Sequence, residues 1–94
     1  MKLIFGDNNE KNYGKDWVTC DWRGADINMY FNKNSKIPLE DNTVQIIYTS
    51  HVIEHMTDSV VNELFKEFYR ILQPGGVVRI VAPDMEAYIK FLIF

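Results

Sequence analysis

Two strand-like segments flank an amphipathic helix pattern, and this order constrains the fold more than any other feature of the chain. Val44–Thr49 is β-branched and aromatic, and Val77–Ala82 is a second apolar run that ends at Pro83. Between them, apolar residues recur at helical spacing over Asp58–Leu72, and Gln73–Gly76 ends that helix. Two strands joined by a crossover helix run parallel with a right-handed connection. The sequence therefore predicts an α/β fold.

Three further strands are predicted upstream, at Leu3–Phe5, Trp17–Cys20 and, with the weakest pattern, Ala25–Phe31. The segments between them are too short for crossover helices, so we expect loops or single turns there. A mostly parallel sheet of about five strands follows from this count. A short helix is expected from Asp84 or Met85 to the last residue.

Length and composition indicate one cytoplasmic domain. The chain has 94 residues, of which 47% are hydrophobic, so it is long enough for one core and too short for two domains. Ten basic and thirteen acidic residues give a net charge of −3, which argues against a nucleic-acid partner. The single cysteine, Cys20, indicates a reducing compartment. No apolar run has the ~18 residues of a membrane span, and the start of the chain lacks a signal-peptide pattern.

Ligands of an open parallel sheet bind beyond the carboxyl ends of the strands, so the candidate site residues lie there. Asp21 directly follows a strand, where a carboxylate can accept hydrogen bonds from both hydroxyls of a ribose; alternatively it caps the following turn. Trp22 beside it is a candidate cover for an adenine ring, or a packing residue. Gly6, followed by Asp7 and Asn8, forms an incomplete glycine-rich turn.

The segment His51–His55 matches a His-x-x-Glu-His pattern that binds zinc when it lies within a long helix. Here the pattern falls at a strand-to-helix junction and lacks a clear third ligand, so a metal site is not expected. The favoured interpretation is that Glu54 and His55 hold the loop by hydrogen bonds. His51, at the strand end, is the better candidate to line a pocket.

The predicted helix has one apolar and one charged face. The apolar face is interpreted as core and consists of Leu64, Phe65, Phe68, Ile71 and Leu72. The opposite face is interpreted as solvated, with weak ion pairs, and contains Glu63, Lys66, Glu67 and Arg70.

Several blocks in order resemble one family, the class I S-adenosylmethionine-dependent methyltransferases, and in particular its short type 11-like subgroup. Phe68–Gly76 (FYRILQPGG), followed by a strand and Ala82–Glu86 (APDME), is similar to the latter half of that fold. The segments Pro38–Val44 (PLEDNTV) and Ile47–Met56 (IYTSHVIEHM) are also similar to the family, and Asp16–Asp21 resembles the second strand of the subgroup. The resemblance implies a Rossmann-like sheet with strand order 3-2-1-4-5, incomplete relative to the seven strands of the family.

The resemblance also implies site residues and a cofactor, S-adenosylmethionine. Gly6, with Asp7 in the same turn, would lie beside the amino-acid part of the cofactor, and Asp21 would bind the ribose hydroxyls. Ser50 and His51 would line the methionine side.

Adenine would contact two further residues. Trp22 would flank the ring, and Tyr30 or Asn32 falls near the position at which the family carries an acidic residue for the adenine amino group. Methyl transfer needs an aligned donor and acceptor more than a fixed catalytic group. His51 and Asp84 are therefore only candidate general bases.

These features support two functional hypotheses. The first is methyl transfer to a small-molecule or sugar-type acceptor. The second is a non-catalytic methyltransferase fold that serves as an interaction module. The second is favoured by the single glycine in the first turn, by the missing adenine carboxylate and by the absence of the family's two final strands.

The missing strands would leave Val77–Ala82 at the edge of the sheet. Exposed edge strands with apolar residues are rare in natural proteins, because they invite pairing with other chains. The sequence therefore predicts a homo-oligomer that pairs through this edge.

Overall fold

A computed structural model describes residues 1–6, 14, 16–82 and 85–90 of the chain, the last range by its backbone only. The elements are β1 Lys2–Phe5, β2 Trp17–Asp21, β3 Ile27–Asn28, β4 Val44–Ser50, α1 Asp58–Ile71, β5 Leu72–Ala82 and β6 Met85–Lys90. They form one sheet with strand order β3-β2-β1-β4-β5-β6, in which β1 to β5 pair in parallel. The predicted α/β class and the order 3-2-1-4-5 are confirmed.

The sheet has a sixth strand that the sequence analysis did not predict. Residues 85–90 form β6, which pairs antiparallel with β5 from Val77↔Lys90 to Ala82↔Met85. The predicted terminal helix is therefore wrong over these residues. Their sequence alternates with a period of two, as strands do, and the pairing satisfies the backbone of β5.

The edge predicted to mediate self-association is occupied, because β6 covers Val77–Ala82. The predicted pairing between copies of the chain required this edge to be exposed, and in the structure it is already paired. Self-association stays a prediction without support from this edge.

Strand β5 begins earlier than predicted and contains a bulge. Leu72 pairs with Val44, and regular pairing resumes only at Val77 opposite Ile46. The segment between them contains Pro74, which has no N–H to donate, and Gly75, whose φ of 80° is in the left-handed region. The bulge lets the chain leave α1 and enter the sheet without a separate loop.

The core lies between α1 and one face of the sheet. The helix contributes buried Leu64, Phe68 and Ile71, as its spacing predicted, while Phe65 is half-buried. The sheet contributes Leu3, Phe5, Cys20, Ile47, Val78 and Ile80. The rings of Phe5 and Phe68 meet edge to face, with centroids 5.5 Å apart.

Two charged residues of α1 hold the segment that precedes β4, contrary to the interpretation of this face as solvated. Glu67 is only 7% exposed, and its carboxylate accepts hydrogen bonds from the Ile37 N–H at 2.7 Å and from Arg70 Nε at 2.7 Å. Arg70 donates in turn to the carbonyls of Ile37 and Leu39, both at 2.8 Å, and to Asp41 Oδ1 at 2.9 Å. We call this set of contacts the Glu67–Arg70 clamp.

We predict that Glu67→Ala lowers the free energy of unfolding by about 2–4 kcal/mol, because it leaves the Ile37 amide and the Arg70 guanidinium without their shared acceptor. Urea denaturation followed by circular dichroism measures this. The matched control is Glu63→Ala, which removes a carboxylate that pairs with exposed Lys66 at 3.1 Å. Its cost should stay below about 1 kcal/mol. Equal losses in both variants would contradict a structural role for the clamp.

The same carboxylate makes stability depend on pH. Hydrogen bonds from Arg70 hold the pKa of Glu67 below its usual range. The unfolded chain therefore takes up the proton first, and the stabilisation by this carboxylate falls as pH drops from about 5 through the lower folded pKa. We expect the stability difference between the wild type and Glu67→Gln to shrink over that range. A difference that is constant from pH 7 to pH 3 would contradict the assignment.

Candidate functional site

The carboxyl ends of the five parallel strands β1 to β5 lie side by side along one edge of the sheet, and we call this edge the row of strand ends. Most of the candidate site residues predicted from the sequence lie there. Asn28 pairs with Asp21 in the β3–β2 register, and Ser50 pairs with Val81 in the β4–β5 register. Gly6 follows Phe5, which is opposite both Cys20 and Thr49. Because neighbouring strands lie about 4.8 Å apart, the backbones at Asp21 and Ser50 are roughly 10 Å apart across β1. The structure therefore brings Gly6, Asp21 and Ser50 together.

Gly6 forms the turn that leaves the central strand. Its φ is 90°, a conformation that favours glycine, and its N–H donates to the Cys20 carbonyl at 2.7 Å. A Cβ at this position would overlap the side chain of Val52, which follows β4. The turn thus requires glycine for two reasons, and Val52 limits the space beside it. Asp7 lies outside the described residues.

Asp21 ends β2 with a half-buried side chain. Its Oδ1 accepts a hydrogen bond from the Trp22 N–H at 2.8 Å. This bond agrees with the alternative in which Asp21 caps the following turn, but it uses only one of the two carboxylate oxygens. Within the described part of the chain, Oδ2 accepts no hydrogen bond. The carboxylate is held in place and retains acceptor capacity.

Trp22 and Tyr30 form an aromatic pair beside Asp21. Their side chains are among the exposed large hydrophobic ones, at 48% for Trp22 and 75% for Tyr30. The ring centroids are 5.6 Å apart and the planes are tilted by 43°. The guanidinium carbon of Arg23 lies 4.2 Å from the centroid of the Trp22 ring. Arg23 was not among the site residues predicted from the sequence.

A second feature that the sequence analysis missed is the anchor of the β2–β3 loop. Asp26 Oδ2 accepts from the Thr19 N–H at 3.0 Å and from Thr19 Oγ1 at 3.3 Å, while the Asp26 N–H donates to Thr19 Oγ1 at 2.9 Å. The side-chain oxygen of Asn28 accepts from the Ala25 N–H at 3.0 Å. These bonds close the short loop that carries Trp22 and Arg23. The sequence contains one sign of this anchor: Asp26 lies inside the predicted strand Ala25–Phe31, and aspartate is disfavoured in strands.

The segment after β4 contains Ser50 and His51. Ser50 is half-buried at the strand end. His51 is exposed, has a φ of 56°, and donates its N–H to the Val81 carbonyl at 2.7 Å. A non-glycine residue in the left-handed region is uncommon, and such residues cluster at functional sites. Asp84, the other candidate base, lies outside the described residues.

The zinc pattern does not form a helical pair of histidines. His51 has left-handed backbone, and only Ile53–His55 form a short 3₁₀ turn. His55 Nε2 lies 3.4 Å from Glu54 Oε1, a contact between adjacent side chains, and the hypothesis that these two residues hold the loop by hydrogen bonds stays a prediction. Among the residues that the structure describes, no three His, Cys, Asp or Glu side chains are grouped to hold a metal ion.

Cys20 lies in the core directly before Asp21, with no exposed surface. Burial, together with the neighbouring Asp21 charge, raises the pKa of its thiol to about 12. The thiol therefore stays protonated at neutral pH and is a poor nucleophile.

Comparisons with known proteins agree on one family. A family model described as a methyltransferase domain matches residues 7–80. A Mycolicibacterium smegmatis protein described as a "probable S-adenosylmethionine-dependent methyltransferase" is 34% identical over 50 residues. These residues are 53% of this chain and 19% of that protein, so the match spans about a fifth of the relative. Within the described residues, no helix is long and apolar enough to cross a membrane.

Two buried threonines allow a matched test of the loop anchor. Thr19 is hydrogen-bonded to Asp26, whereas Thr49 Oγ1 is buried without a hydrogen-bond partner among the described residues. We predict that Thr19→Val lowers the free energy of unfolding by about 1–3 kcal/mol, and that Thr49→Val causes no loss. Chemical denaturation measures both. A larger loss in Thr49→Val than in Thr19→Val would contradict the assignment.

Proposed function

Because the chain belongs to the methyltransferase domain family, we propose that it binds S-adenosylmethionine at the row of strand ends and transfers its methyl group to a small-molecule or sugar-type acceptor. The match over residues 7–80 supports the family. The observation that carries the cofactor proposal is the position of Asp21, a fixed carboxylate at the end of β2 that retains acceptor capacity. We further propose a cytoplasmic location, which the single cysteine favours.

The residues in this row fit the chemical groups of the cofactor. A carboxylate with a free oxygen is suited to a ribose diol, and an exposed tryptophan beside it is suited to a purine ring. Next to Asp21, at the end of β1, Gly6 has no side chain, so a ligand at the row of strand ends can approach the backbone of this turn. Ser50 adds a hydroxyl group at the end of β4, which can donate or accept a hydrogen bond.

When bound, the cofactor would supply an activated methyl group: a lone pair of the acceptor forms the new bond to the methyl carbon as the carbon–sulfur bond breaks, and the electrons of the broken bond stay on the sulfur. The protein has to hold the two molecules in line, and this ordering accounts for much of the rate increase in such reactions. His51 is the described candidate to take a proton from the acceptor. It is exposed beyond the end of β4, and histidine is the side chain that most often serves as a general base.

One observation favours the alternative of a non-catalytic binding module. The side chain of Val52 packs against the Gly6 turn, in the space beside the proposed amino-acid subsite. A cofactor that needs this space would have to move the Val52 side chain. In a protein that binds no cofactor, Val52 can stay packed against Gly6, which is why this contact favours the non-catalytic alternative.

We predict that the wild-type protein binds S-adenosylhomocysteine, and that Asp21→Ala raises its dissociation constant by about 5- to 150-fold through loss of the ribose hydrogen bonds. Isothermal titration calorimetry measures both affinities. The matched control is Asp16→Ala, which removes an exposed carboxylate before the other end of β2 and should leave affinity unchanged. The absence of heat with wild type at millimolar ligand would overturn the proposal and favour the non-catalytic alternative.

A further inference from the structure

Strand β6 forms one edge of the sheet, and no strand pairs with its outer side among the residues that the structure describes. Its inner side pairs with β5 along its whole length. In an antiparallel strand, alternate residues direct their N–H and C=O groups to opposite sides, so half of the six residues of β6 direct them away from β5. The opposite edge, β3, has only two residues. The outer side of β6 is therefore the longer site for pairing with a further strand.

Natural proteins protect edge strands by a few devices, which are short length, a proline, a bulge or charged residues. Strand β6 has six residues and no proline, and its register with β5 runs without a shift from Met85 to Lys90. Of these devices it contains charge alone, in Glu86 and Lys90. Whether these two charges prevent or favour pairing depends on the residues that they meet.

The two charges are complementary when β6 pairs with a second copy of itself. Most dimers have a two-fold axis. An axis normal to the sheet makes the two edge strands antiparallel and brings positions of the same face opposite each other. In the register centred on Tyr88, residue 86 of each copy meets residue 90 of the other. An acidic residue is then opposite a basic one twice, and such cross-strand pairs are stabilising.

Other registers of the same strand lack this match. A register centred on Glu86 or on Lys90 places like charges opposite each other, which is destabilising, and a parallel in-register pairing does so at both positions. In the registers centred on Ala87 or Ile89, neither charged residue meets a charge within β6. The order of charges in β6 therefore selects one antiparallel register for self-pairing.

We propose that two copies of the chain pair through the outer side of β6, antiparallel and centred on Tyr88. The two sheets then join into one continuous sheet, and the two copies of α1 lie on the same side of it, because a two-fold axis normal to a sheet keeps each face on its own side. This edge differs from the predicted one, Val77–Ala82, which β6 covers. The proposal does not depend on cofactor binding or on methyl transfer.

The test is sedimentation velocity of the 94-residue chain at concentrations from about 1 μM to 1 mM. We expect the wild type to pass from monomer to dimer in this range. Glu86→Lys and Lys90→Glu each place like charges opposite each other twice, so each should raise the dissociation constant of the dimer by about 5- to 50-fold. The matched controls are Glu40→Lys and Lys33→Glu, which make the same charge changes at exposed positions outside the sheet and should leave this constant unchanged.

An equimolar mixture of Glu86→Lys and Lys90→Glu separates self-pairing from a loss of folding. In the mixed dimer opposite charges meet again, so it should form as readily as the wild-type dimer. Hydrogen exchange gives a second measurement, because the amides of alternate residues in β6 should exchange more slowly as the wild-type concentration rises. A wild type that stays monomeric at about 1 mM would overturn the proposal. A dimer that neither charge reversal weakens, or a mixture that stays monomeric while both variants keep the wild-type circular dichroism spectrum, would do so as well.

Discussion

Strand β1 pairs on both sides, and its last residue, Phe5, is opposite Cys20 in β2 and Thr49 in β4. Residues 3 to 5 are all buried, so this strand is covered on both faces as well as on both edges. In a sheet with a buried face, a shift of one residue would turn core side chains toward solvent, which makes such a register hard to change. The alignment of Gly6, Asp21 and Ser50 follows from that register. The site is thus a consequence of the way the central strand is packed.

The Glu67–Arg70 clamp extends this order to the chain before β4. An ion pair at the surface contributes little, but here the two side chains also bind the backbone of Ile37 and Leu39. Those hydrogen bonds tie the entry of β4 to the helix that follows it. At the other end of the helix, α1 leads directly into β5, where the bulge lies.

Much of the fold was predictable because burial leaves a regular trace in the sequence. The β-branched residues of β4 and the helical spacing of Leu64, Phe68 and Ile71 are of this kind. The role of Glu67 was not predictable, because helical spacing assigns it to a charged face and does not reveal that a distant loop returns to it.

In the candidate site, the position of Asp21 could be predicted from the sequence, because it directly follows a strand. Arg23 could not, because its contact with Trp22 depends on a short loop that Asp26 and Thr19 close.

The single cysteine gives the protein a built-in reporter of how tightly the site is held together. Cys20 is fully buried in β2, one residue before Asp21, and its protonated thiol is shielded from reagents in the folded chain. A thiol reagent can modify it only when β2 separates from its neighbours or the whole chain unfolds. The labelling rate in native buffer therefore measures the opening of the strand that carries the Asp21 carboxylate. Any ligand that binds across β1, β2 and β4 would slow it, whatever its chemical identity.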